Sequence, residues 1–130
     1  MVTPLATYKI FLVDDDETFL MILRRHLELQ KKFEVHVFNS GEDCLEKLDL
    51  QPDIIILDYN LNRSGSLLNG KQVLSEVLKQ KKRPKIIMLS GQEDGQLVYE
   101  LVKMGVQDYV LKGANALEEL DELISGYIAR

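Results

Sequence analysis

"PDIIILDYNLNRSGSLLNG", residues 52–70, is the stretch whose reading decides the fold. Four apolar residues, Ile54 to Leu57, run directly into Asp58 and then into a polar, glycine-containing stretch. A short unbroken apolar run reads as a strand buried on both faces, as in parallel sheets. The carboxyl end of such a strand is where open α/β sheets bind their ligands. Asp58 therefore marks either a site or the start of a turn, which Asp also favours, and the flanking segments have to decide.

Working outward, the apolar period switches repeatedly between strand and helix. "YKIFLV" (Tyr8 to Val13) reads as a buried strand, and "ETFLMILRRHLELQ" follows with Phe19, Leu20, Leu23 and Leu27 at helical spacing. "FEVHVF" (Phe33 to Phe38) alternates as a less buried strand does, and "SGEDCLEKL" supplies a short capped helix. After "DIIIL" come a helix in Lys71 to Gln80, a buried strand in Lys85 to Ser90 with Pro84 as punctuation, and a helix in "DGQLVYELVKMG" stopped by Gly105. Asp108 to Leu111 is a fifth strand. "NALEELDELISGYIA" closes with Leu117, Leu120 and Ile124 on one face. Five βα units predict an α/β fold with a doubly wound, five-stranded parallel sheet and five flanking helices.

The chain of 130 residues fits one domain, 1–130, with its core at about 8–128. Hydrophobic residues make up 45% and no apolar run reaches the roughly 18 residues of a membrane span, so the expectation is a soluble protein with no membrane contact. The opening "MVTPLATYK" lacks the pattern of a secretory signal and Cys44 is the lone cysteine, which points to a reducing cytoplasm. A net charge of -5 argues against direct nucleic-acid binding. The basic run Lys79 to Lys85 reads as a solvated helix end, where cations suit the helix dipole.

The predicted strand ends carry the chemistry. Strand one ends on Asp14, Asp15 and Asp16, strand three on Asp58, strand four on Ser90 and strand five on Lys112. A doubly wound sheet gathers these ends on one edge. Like charges about 4 Å apart repel by roughly 4 kcal/mol at an effective dielectric near 20, so the acids need a cation. Oxygen ligands and few protein carboxylates suit Mg²⁺. Metal, ammonium and hydroxyl together describe phosphoryl transfer, with Asp58 as acceptor.

Four motifs in order resemble those of the receiver domains of two-component response regulators, chemotaxis receivers included. "FLVDDDE" resembles the family's acidic motif and implies Asp15 as a direct metal ligand and Asp14 as one acting through water. "IIILDYN" implies Asp58 as phosphoacceptor and metal ligand, with Asn60 lending its backbone carbonyl. "IIMLSG" implies Ser90 as the hydroxyl and Gly91 as the small residue leaving room for a phosphoryl group, and "DYVLK" implies Tyr109 as the aromatic rotor and Lys112 as the phosphoryl-pairing ammonium. The resemblance also implies a flavodoxin-like strand order 2-1-3-4-5, Mg²⁺ as cofactor, and a sensor histidine kinase or histidine phosphotransfer protein as donor. It implies a phosphorylation-driven signalling switch rather than an enzyme. The output partner is unassigned: the chain reads either as a stand-alone receiver or as a piece of a longer regulator with an effector beyond Arg130.

Two departures from the family pattern stand out. The loop after Asp58 reaches its closing Gly70 with about four extra residues and no Pro. Its Ser64, Gly65 and Ser66 argue for mobility, and Leu67 and Leu68 for a second half tied to the core. Lys112 is followed by Gly113 rather than Pro, and since a cis bond before a non-proline residue costs roughly 2.5–4 kcal/mol, the expected bond is trans.

Blander readings stand beside these. Asp16 and Glu17 read as helix-starting acids, His26 and His36 as ordinary helix and strand residues, and Cys44 as a packing residue. Ser90 alone could cap a loop and Tyr109 could be a half-buried strand aromatic. Two other functions are open: a pseudo-receiver that binds without phosphorylation, and a haloacid-dehalogenase-type phosphohydrolase in which Asp14-x-Asp16-x-Thr18 supplies the nucleophile Asp14. The hydrolase would need a second acidic metal motif, and Glu118, Glu119, Asp121 and Glu122 instead lie in an amphipathic helix pattern.

Overall fold

The computed structural model describes residues 7–61 and 67–128. In chain order these form β1 (Tyr8–Val13), α1 (Glu17–Glu28), β2 (Phe33–Phe38), α2 (Gly41–Glu46), a 3₁₀ turn (Leu48–Leu50), β3 (Ile54–Asp58), α3 (Gly70–Leu78), β4 (Lys85–Ser90), α4 (Gly95–Met104), β5 (Asp108–Leu111) and α5 (Ala116–Ile128). The strands make the one parallel sheet that the βα pattern predicts, ordered β2-β1-β3-β4-β5 as the receiver-domain resemblance implies.

Alternation along each strand sorts the core into two layers, because successive side chains leave opposite faces of a sheet. Ile10, Leu12, Ile54, Ile56, Ile87, Leu89 and Val110 pack with α1 and α5. Phe11, Val13, Ile55, Leu57, Ile86 and Met88 pack with α2, α3 and α4. With strands on both sides and helices over both faces, β3 is buried throughout, and each of its apolar side chains, Ile54 to Leu57, is worth about 1.5–3 kcal/mol relative to exposure. That is the physical origin of the unbroken run Ile54 to Leu57. β2 is an edge strand, mostly half-buried, and keeps polar Glu34 and His36.

Helix boundaries follow side-chain caps. Asp16 accepts the backbone N–H of Phe19 and starts α1, Ser40 starts α2, and Asp94 starts α4. Gly105 ends α4 at φ 121°, a conformation that favours glycine. α3 begins one residue before the predicted start, at Gly70, because Asn69 and Gln72 form a reciprocal capping box.

The extended β3–α3 connection corrects one expectation. Leu68 packs against the second core layer, but Leu67 is 84% exposed and contributes nothing to the core. Its backbone is held instead by Glu42 of α2, whose carboxylate accepts the N–H groups of Leu67 at 3.0 Å and Leu68 at 3.3 Å. Ser64, Gly65 and Ser66, read from the sequence as mobile, lie outside the described residues.

Candidate functional site

The strand order brings the acids together. β1 and β3 are hydrogen-bonded neighbours with Val13 opposite Leu57, so Asp14 and Asp58 are the next residue on each strand. The winding reverses at this pair, because β2 lies on one side of β1 while β3, β4 and β5 lie on the other. Carboxylate oxygens of Asp14, Asp15 and Asp58 all lie within 4.8 Å of one another, and Asp14 and Asp58 are each 1% exposed.

Lys112 closes the cluster from β5. Its backbone N–H donates to the Ser90 carbonyl at 2.8 Å, extending the β4–β5 ladder by one step. Its ammonium lies 2.7 Å from Asp14 Oδ2 and 3.4 Å from Asp58 Oδ2. Lys112 thus lies closer to Asp14 than to Asp58. The Lys112–Gly113 bond is trans, there being no cis peptide bond among the described residues.

Backbone groups hold two of the carboxylates. Asp16 N–H donates to Asp14 Oδ1 at 2.9 Å, and Asn60 N–H donates to Asp58 Oδ1 at 3.2 Å. Burial pushes the Asp14 carboxyl up to about 7, with the nearby Asp58 charge adding to it, although the Lys112 and Asp16 hydrogen bonds pull the other way. The three carboxylates gather negative charge at the sheet edge. An all-oxygen donor set of that charge fits a hard divalent cation of the Mg²⁺ type.

The remaining predicted residues flank this cluster. Ser90 is buried at the end of β4, and its Oγ accepts the Gln92 N–H at 3.2 Å and donates to the Gln92 carbonyl at 3.4 Å. Tyr109 lies against the second core layer and donates its hydroxyl to the same carbonyl at 2.6 Å. Ser90 and Tyr109 therefore share one acceptor. A Cβ added at Gly91 would meet nothing within 4 Å, so that position is open. A Cβ at Gly70 would lie 2.5 Å from the Asp58 carbonyl oxygen, which ties this distant glycine to the site.

Several neighbours escaped the sequence reading. Phe19, legible only as an apolar helix position, places its ring centroid 5.1 Å from Lys112 Nζ. Gln92 carried no signal because it acts through its backbone. His26 bonds Asp121 of α5 through Nε2 at 2.8 Å, a contact between helices 95 residues apart in sequence, and His36 bonds Glu34. Asp16 and Glu17 start α1 as expected, and Cys44 is a buried packing residue. No helix among the described residues is long and apolar enough to cross a membrane.

Comparison with known proteins matches residues 10–125 to the family described as the response regulator receiver domain. The transcriptional regulatory protein LiaR of Bacillus subtilis (strain 168) is 30% identical over 117 residues, covering 88% of this chain and 54% of that protein. The chemotaxis protein CheY of Thermotoga maritima is 27% identical over 103 residues, covering 78% of this chain and 82% of that protein. The receiver domain protein (CheY-like) from Methanospirillum hungatei JF-1 superposes with a TM-score of 0.79 at 21% identity over 94% of each chain, a likeness of fold. The chain spans about half the length of curated relatives such as LiaR. With the family match covering nearly all of the sheet and its helices, the chain belongs to the response regulator receiver domains of two-component systems.

Proposed function

We propose that this chain is a phosphoacceptor switch in which Asp58 takes a phosphoryl group from a phosphohistidine on a sensor histidine kinase or a histidine phosphotransfer protein. The observation that carries the reading is the setting of Asp58: a buried carboxylate at the sheet edge, 3.4 Å from the Lys112 ammonium and clustered with Asp14 and Asp15. Asp15, Asp58 and the Asn60 carbonyl would hold Mg²⁺, with Asp14 acting through water. The metal ion supplies positive charge that lets an anionic donor approach three carboxylates.

One Asp58 oxygen forms its bond to phosphorus in line as the P–N bond to the donor imidazole breaks. The imidazole leaves with the electron pair and takes up a proton. Lys112 then shifts from Asp14 toward a phosphoryl oxygen, and Gly91 leaves space for the group. Ser90 turns its hydroxyl to another phosphoryl oxygen and gives up its contacts with Gln92. Because Tyr109 bonds the same Gln92 carbonyl, this release reaches the surface formed by α4, β5 and α5. The output partner, or an effector carried in the same protein, would read that surface.

The test is to incubate the protein with Mg²⁺ and acetyl phosphate and map the modified residue by mass spectrometry. Label at Asp58, lost in Asp58→Asn, is the expected result. Label at Asp14 would transfer the reading to a phosphohydrolase, and a well-folded protein that takes no label from acetyl phosphate or a kinase would be a pseudo-receiver.

A further inference from the structure

The ammonium that must meet the phosphoryl group has a support that its own carboxylate partners do not provide. Lys112 Nζ sits over the ring of Phe19, 5.1 Å from its centroid, and the lysine side chain is 15% exposed. An aromatic face attracts a cation through its quadrupole, more strongly where water is excluded. The Phe19 backbone N–H donates to the Asp16 cap at 3.2 Å, and the Phe19 side chain packs, partly buried, against the core layer of α1 and α5. Asp16 in turn donates its own N–H to Asp14 Oδ1, and Asp14 Oδ2 pairs with Lys112. The contacts close a ring, from Asp14 through Asp16 and Phe19 to Lys112 and back to Asp14.

We infer that Phe19 is a positioning residue for Lys112, holding the ammonium over the Asp14–Asp58 pair so that it is ready for the phosphoryl oxygen. The inference rests on the phosphoacceptor reading of Asp58. A lysine side chain has a long flexible stem, and confining it in advance reduces the ordering cost at the moment of transfer. Asp14 alone is a poor guide for this, because it draws the ammonium to 2.7 Å while leaving it 3.4 Å from Asp58. The ring is neutral, so its hold on Lys112 persists when the carboxylates turn to other cations. This chain also has Gly113 after the lysine, a residue that adds no stiffness to the backbone there.

The experiment compares wild type, Phe19→Leu, Phe19→Met and Phe19→Tyr. Leu and Met keep an apolar side chain without an aromatic face, whereas Tyr keeps the face. Three quantities are read: the acetyl phosphate labelling rate at Asp58 with saturating Mg²⁺, the Mg²⁺ affinity by calorimetry, and the ring-current shift of the Lys112 ε protons by NMR. Phe19→Leu and Phe19→Met should label about tenfold more slowly, Phe19→Tyr within about twofold of wild type, and Mg²⁺ affinity should stay within about twofold throughout. The ε protons should be shifted upfield in wild type and Phe19→Tyr and lose that shift in the other two. Unchanged labelling in Phe19→Leu would overturn the inference, as would a Phe19→Tyr as slow as Phe19→Leu, which would reduce Phe19 to a space-filling role. If wild type takes no label at Asp58, the phosphoacceptor reading falls and this inference with it. If wild type labels normally while the aliphatic variants do too, only the inference falls.

Discussion

Gly70→Ala tests the geometry of the site from a residue that carries no chemistry. The added methyl would sit 2.5 Å from the Asp58 carbonyl oxygen, 2.6 Å from Tyr59 Cα and 2.8 Å from the Tyr59 carbonyl oxygen. All three are backbone atoms, so no side-chain rotation relieves the clash. Restoring ordinary contact requires the start of α3 and the Asp58–Tyr59 segment to part by about 0.6–0.9 Å, and the Gly70 N–H bond to the Tyr59 carbonyl, now 3.1 Å, stretches with it. Overpacking of this kind costs about 1–3 kcal/mol, partly offset by the better helix propensity of Ala. For a chain of this size the loss corresponds to a fall in Tm of roughly 3–12 °C. The same movement displaces Asp58 and Asn60, and Mg²⁺ tolerates little departure from octahedral geometry, so its affinity should weaken about tenfold or more. Urea unfolding followed by circular dichroism measures the first effect and isothermal calorimetry the second. Gly91→Ala is the control: it meets nothing within 4 Å, so it should leave stability within about 0.5 kcal/mol. A Gly70→Ala protein with wild-type stability and wild-type Mg²⁺ affinity would show that the close approach does not shape the site.

The Asp14 carboxyl lies at about 7, above its ordinary 3.8, so folding favours its protonated form. In EDTA, stability should therefore fall as pH rises from about 4 to about 7 and level off above; urea midpoints across that range should show this loss reduced in Asp14→Asn, and an equal slope in both proteins would remove Asp14 as its source. Burial pushes the Cys44 thiol up to about 12, so reaction with a disulfide reagent at pH 8 should proceed only through unfolding. Labelling rates that ignore added urea would contradict that. Glu42→Ala removes the acceptor of two loop N–H groups, and hydrogen exchange at Leu67 and Leu68 should accelerate about tenfold or more, with Mg²⁺ affinity kept within about threefold. Unchanged exchange would mean that the loop end is held by other contacts.

Much of this protein was determined by sequence alone, because its signals are local. The fully buried run Ile54 to Leu57 marks a central parallel strand, since only a strand covered on both faces keeps apolar residues at every position. Asp58, Ser90 and Lys112 were legible because a single rule, that ligands bind at the carboxyl ends of parallel strands, applies to each segment separately. The cap at Ser40 and the helix-starting role of Asp16 were readable for the same reason, being interactions within a few residues, whereas the cap at Asp94 was not singled out. What only the tertiary structure decided depends on distances across the chain. Lys112 sits closer to Asp14 than to Asp58, and the Phe19 ring meets its ammonium, only because β5 docks beside β4 and α1 lies over the same face. Gly70 matters through a backbone approach that no side-chain pattern encodes, and Glu42 through a carboxylate reaching a loop 25 residues away. Leu67 shows the limit most clearly. Its apolar side chain reads in the sequence as a core residue, but it is exposed while its backbone N–H bonds Glu42, and hydrogen bonding of the main chain leaves no trace in hydrophobic periodicity.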